Sequence, residues 1–276
     1  MDKLNFCTAG IPLSTQKQGL LEGLKQVKKF NLDGMELEFV HGVYLKKEKT
    51  PEISKFVKEN NLIITCHSPY YINLNAQDKQ KWHASISYIV QSAKITYLCN
   101  GYSVCFHPAF NMKNTKEEVY KKVKDAIELI LKELKKDDIN IWIRPETAGK
   151  ISQFGNIKEL IELSSEFENV LPCIDWSHMH AYSNGKINTL EEFREILVLM
   201  EKKLGKVSLD NVHFHCQGIN YNEKGERNHL NLKESDFNYK DLIKVWKEFK
   251  LKGVVVCESP NVEKDALFLK ETYEKK

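Results

Sequence analysis

The sequence predicts an α/β chain folded as a single (β/α)8 TIM barrel over residues 1–276, with its active site at the C-terminal face of the strands. Three observations predict it. Eight short apolar, β-branched segments recur along the chain, stretches of helical period separate them, and histidines and carboxylates gather at the strand ends. A length of 276 residues also suits one barrel, typically about 250 residues long, better than one sandwich.

The predicted strands are "LNFCTAG" (4–10), "GMELEFV" (34–40), "LIITCHSP" (62–69), "YSVCFHPA" (102–109), "NIWIRPE" (140–146), "VLPCIDWSH" (170–178), "NVHFHC" (211–216) and "GVVVCESP" (253–260). Their starts are about 30 to 40 residues apart, the length of one βα unit. Helical periodicity with charged faces fills the gaps, as in 19–30, 116–136, 157–167, 190–204 and 239–250. No linker or low-complexity stretch interrupts the series, and "CTAGIPLS" after the first strand is not a Gly-rich phosphate turn. A closed parallel barrel is therefore expected rather than an open doubly wound sheet.

Composition excludes several function classes. With 41 basic and 38 acidic residues the net charge is only +3, so bulk charge does not hold the chain on nucleic acid, although a local basic rim remains open. No apolar run approaches the ~20 residues that span a bilayer, and "MDKLNFCTAG" lacks the apolar core of a signal peptide. The seven cysteines form no CxxC pair. Reduced, buried cysteines in a cytoplasmic protein are expected, with no membrane partner.

The chemistry is concentrated at the strand ends. His67, His107, His178, His213 and His215 lie at or just past them, as do Glu146, Asp175 and Glu258. In a parallel barrel these ends share one face. Strand parity sets Cys105 below His107 and Cys173 below Asp175 as filling residues, while Cys66 and Cys257 face the helices. One histidine in a strand is usually a satisfied core group. Five with three carboxylates are different, because buried carboxylates without a partner are costly and a cation is the simplest partner. Mixed His, Asp and Glu donors point to zinc, or to manganese. They exceed the needs of one tetrahedral ion, so two to three ions are expected, a cluster suited to phosphate ester hydrolysis.

Four stretches, "HSPYYINL" (67–74), "FHPAF" (106–110), "ETAGK" (146–150) and "CIDWSH" (173–178), resemble endonuclease IV, the zinc-dependent apurinic/apyrimidinic endonuclease among the xylose isomerase-like barrels. "HFH" (213–215), "NHLNL" (228–232) and "CESP" (257–260) extend the resemblance to nearly the whole chain. It implies His67 and His107 on a first zinc, with Glu146 as the catalytic carboxylate bridging to a second. Asp175, His213 and Glu258 match the other ligands of the second zinc, and His178 and His229 two ligands of a third. His215 has the same parity as His213, so either histidine fits. The third carboxylate should stand two residues before His229, at Arg227, with Glu226 beside it. Either Glu226 turns inward through a one-residue shift that Gly225 permits, or the third ion binds weakly. Tyr70 and Tyr71 occupy the loop that enters DNA in the family, and Arg227 is the candidate phosphate contact.

The resemblance implies a monomer acting on duplex DNA with abasic sites, hydrolysing the phosphodiester 5′ to the lesion and leaving a 3′-hydroxyl and a 5′-deoxyribose phosphate. Two other readings compete. A sugar isomerase or epimerase on the same barrel needs only Glu146, Asp175, one of His213 and His215, and Glu258 around one ion. "GMELEFVHG" (34–42), with Glu36, Glu38 and His41, looks more like those relatives. A binding module without chemistry would not need the inner ligand set.

Overall fold

The computed structural model describes residues 1–17 and 19–275. The chain divides into two compact units. The first comprises Met1–Met35, Thr147–Ile151 and Cys173–Lys276, and the second Glu36–Glu146 and Ser152–Pro172.

In the first unit the strands Leu4–Ala9, Gly253–Cys257, Val212–His215 and Ile174–Asp175 lie side by side in that order, all parallel. Helices Leu20–Lys29, Leu190–Leu204, Tyr239–Glu248 and Glu263–Glu274 follow their strands. Leu190–Leu204 starts where Thr189 and Glu192 exchange side-chain and backbone bonds, a capping box worth about 1 kcal/mol. It buries Phe193, Ile196, Leu197 and Met200, the i, i+3, i+4, i+7 face.

Two segments of this unit differ from the sequence reading. The strand expected over 170–178 makes one isolated bridge at Val170, forms a ladder at Ile174 and Asp175, and gives way at once to a helix, Trp176–Tyr182. The cause is Asp175 itself, whose carboxylate accepts the backbone N–H of His178 at 2.7 Å and caps the helix. Residues 222–230, outside every strand the sequence predicts, belong instead to a β-hairpin of Gly218–Asn222 with Gly225–Leu230.

In the second unit Trp142–Pro145, Ser103–Phe106 and Ile63–His67 are neighbours in a parallel sheet, followed by the strand Gly34–Glu38, whose last three residues belong here. Helix Lys116–Lys136 is again capped by a box, Thr115 with Glu118. It buries Val119, Val123, Ala126, Ile127, Ile130 and Leu134, the larger of these worth about 1.5–3 kcal/mol each. Helices Thr50–Glu59 and Lys79–Leu98 complete the alternation. Cys66 faces the second of these, bonding Thr96, and burial pushes its thiol well up. Among the described residues all seven cysteines are buried and outside any disulfide, and no helix is long and apolar enough to cross a membrane.

Candidate metal centre

The second unit brings three of the expected donors together at its strand ends. His67 closes Ile63–His67, and Glu146 follows Trp142–Pro145. The His67 ring has its Nδ1 2.8 Å from the Ser68 carbonyl and its Nε2 3.1 Å from Glu146 Oε2. A carbonyl only accepts, so it fixes a proton on Nδ1, and in the neutral ring the Nε2 lone pair turns towards Glu146. A bare nitrogen facing a buried carboxylate at that distance needs a proton or a cation to join them. His107 Nδ1 lies 3.5 Å from the same Glu146 oxygen. Beneath them Cys105 donates towards the Cys66 carbonyl and Glu36, and its sulfur comes within ligand range of His67 and Glu146. Tyr70 stands edge-on to His67, with ring centres 5.2 Å apart. Tyr70 and Tyr71 are 51% and 61% exposed.

The first unit gathers the rest. Asp175 is held on both sides, Oδ1 by the His178 N–H and Oδ2 by the Gln217 amide at 2.7 Å. The sheet register sets Asp175 opposite His215, leaving His213 one layer deeper. His215 Nδ1 also lies 3.5 Å from Glu258 Oε2. Of the two histidines with equal parity, His215 is therefore the one level with the carboxylates.

Glu226, His178 and His229 form a triad. Glu226 oxygens lie 3.7 Å from His178 Nε2 and 3.6 Å from His229 Nε2. The two Nε2 atoms are 3.4 Å apart. Each histidine turns Nδ1 to a carbonyl, His178 to Thr147 and His229 to Glu258, so both Nε2 lone pairs face each other and the carboxylate. Three acceptors aimed at one point suit a cation. Arg227 is exposed and outside the triad.

A β-bulge keeps Glu226 and His229 on one face despite the extra residue between them. Tyr221 pairs with Glu226 and Asn220 with Asn228, so Arg227 is the extra residue on its strand. A bulge turns two successive side chains to the same side, which brings positions three apart onto one face. The burial agrees: Glu226 and His229 are partly buried, Arg227 and Asn228 exposed. Gly225 turns the chain at φ +98, and a Cβ there would sit 2.2 Å from the Gly149 carbonyl. Gly149 leaves room for the triad itself, since its Cβ would meet Glu226 Oε2 at 2.7 Å and His178 Cδ2 at 2.9 Å. Gly149→Ala is expected to displace the end of the flexible Glu226 side chain and to press on the buried His178 ring. Zinc should then bind there on the order of tenfold more weakly. Unchanged zinc titration would show that Glu226 is not held in place by this contact.

Sequence reasoning missed Gln217 and Thr147. Gln217 extends the alternation of His213 and His215 by one more step, a visible signal. Thr147 binds the Asp175 backbone through its hydroxyl, accepting the Asp175 N–H at 2.8 Å and donating to its carbonyl at 3.1 Å, contacts that only the folded chain reveals.

Residues 24–273 match the family described as xylose isomerase-like TIM barrel. An uncharacterized protein of Methanocaldococcus jannaschii is 42% identical over 98% of this chain and 97% of its own length. A probable endonuclease 4 of Halothermothrix orenii is 24% identical over 79% of this chain and 88% of its own. Among solved structures, a D-tagatose 3-epimerase-like protein superposes with a TM-score of 0.73 at 18% identity, covering 98% of this chain and 94% of its own. Endonuclease IV of Thermus thermophilus superposes with 0.72 at 16%, covering 98% and 97%. These structural likenesses show the α/β barrel fold. The chain belongs to the xylose isomerase-like TIM-barrel family.

Proposed function

We propose that this chain is a metal-dependent phosphodiesterase of the endonuclease IV type, cutting duplex DNA on the 5′ side of abasic sites as a monomer. One observation carries the reading: the His178–Glu226–His229 triad supplies a complete extra ligand set. An epimerase needs one ion and leaves that triad without a task. Zinc, or manganese, bound by these residues would lower the pKa of a water and neutralise phosphoryl oxygens. The chain's own part is positional. His67, with His107 and Glu146, offers nitrogens beside a buried carboxylate, and Gln217 holds Asp175 in one orientation. Exposed Tyr70 and Tyr71 are available to the duplex, while Arg227 projects beside the triad on the solvent side. An abasic nucleotide leaves the stack at low cost, having no base to unpair, which contributes selectivity.

The test is nicking of a duplex carrying one tetrahydrofuran residue by metal-loaded protein. The expected product ends in a 3′-hydroxyl that a polymerase extends, and cleavage should weaken as salt rises. Arg227→Gln should weaken DNA binding and reduce the salt slope by about 1. An intact duplex together with interconversion of ketoses by the same preparation would establish the epimerase reading instead. That alternative draws support from the D-tagatose 3-epimerase-like fold and from Glu36, fully buried beside Cys105 as a barrel-filling acid.

A further inference from the structure

The helix and the hairpin that carry the triad are joined a second time, away from it. His178 and His180 sit two residues apart on Trp176–Tyr182, roughly 200° around the helix, so they point to opposite faces. His180 is fully buried and plays no part in the triad. One of its ring nitrogens lies 3.2 Å from the Ile187 carbonyl and the other 3.0 Å from Asp236 Oδ1. The second Asp236 oxygen accepts the Tyr221 hydroxyl at 2.7 Å. Tyr221 is the residue opposite Glu226 at the bulge. One carboxylate thus ties the helix of His178 to the hairpin of Glu226 and His229.

The surroundings are built for this contact. The Tyr221 ring stands edge-on to His180 with centres 5.0 Å apart. Gly185 leaves room for the Tyr221 hydroxyl, where a Cβ would approach to 2.6 Å. Asn188 binds the Asp236 carbonyl, and Ser235 bonds both backbone groups of Ile219 on the hairpin. Burial acts to raise the Asp236 carboxyl, yet the bonds from Tyr221 and His180 outweigh it and hold the group below the usual carboxylate range.

We propose that Asp236, bridging His180 and Tyr221, is a positioning residue that holds Glu226 and His229 at ligand distance from His178. It sets the triad's affinity for its ion without touching that ion. The proposal rests on reading the triad as an ion site. Two hairpin residues and one helix residue must meet within a few tenths of an ångström. Side chains near a metal that orient its ligands commonly change affinity by about 10–100-fold.

The experiment uses the full-length protein loaded with zinc, titrated against a competing chelator, with Tyr221→Phe, Asp236→Ala and Glu226→Gln in parallel. Tyr221→Phe removes one hydroxyl and keeps the ring packed on His180, so a folded protein is expected. Its most weakly held zinc should bind about tenfold less tightly, and in Asp236→Ala more weakly still. The other ions should be unaffected, and added zinc should restore cleavage. Amides of Gly218–Leu230 should exchange faster in the zinc-free variants. If Glu226→Gln keeps every zinc of the wild type, the ion reading fails and the strut falls with it. If Glu226→Gln loses one zinc while Tyr221→Phe and Asp236→Ala titrate like the wild type, the strut alone is overturned. Equal weakening of all ions would overturn it too, since that is the mark of general destabilisation.

Discussion

Glu146→Gln is expected to lower the rate of abasic-site cleavage by about a thousandfold or more while leaving DNA binding nearly intact. Glu146 is fully buried, and one of its oxygens faces both His67 and His107. Glutamine keeps the shape and can turn its NH2 towards His67 Nε2, so the fold should survive. What disappears is the negative charge that makes this pocket attractive to a cation. Losing about 4 kcal/mol of stabilisation in the transition state corresponds to roughly a thousandfold in rate. Elemental analysis should find at least one ion fewer per chain. A variant with full metal content and wild-type nicking would remove Glu146 from the machinery.

The strands were legible because each couples an apolar run to a polar end, and physical chemistry permits few other uses of that pattern. "LIITCHSP" and "NVHFHC" became Ile63–His67 and Val212–His215 with only their flanks trimmed. "VLPCIDWSH" was less legible. Its apolar start continues the strand pattern, but Asp175 is both a strand end and an N-cap, and local propensity does not say which use wins. The choice between His213 and His215 was equally out of reach. Parity is shared by both, and only the pairing with Ile174–Asp175 sets their depth. Gln217 was visible as the next step of the same alternation, but a buried amide has no distinctive signature until its carboxylate partner is known.

The bulge lies furthest from what residues alone reveal, and it supports the sharpest contrast among variants. Glu226→Gln is expected to cost close to one zinc per chain and to slow cleavage on the order of a hundredfold, since two imidazoles without a carboxylate make a poor zinc site. Arg227 stands next to Glu226, yet its deletion should act quite differently. Because Arg227 is the extra residue, every cross-strand pair from Gly218–Leu230 to Asn222–Gly225 can persist without it. Glu226 then stands two residues before His229, and in a regular strand residues two apart share a face. Deletion should therefore leave the triad's zinc in place and remove only an exposed cation, weakening DNA binding and lowering the salt slope by about 1. Moving the carboxylate one position while keeping the chain length, as in the double variant Glu226→Arg with Arg227→Glu, should lose the zinc, because the bulge turns position 227 to solvent. If deletion of Arg227 costs the same ion as Glu226→Gln, the alternation argument fails and the bulge itself shapes the triad. If the double variant keeps the ion, position 227 can reach it and the register is not what selects Glu226.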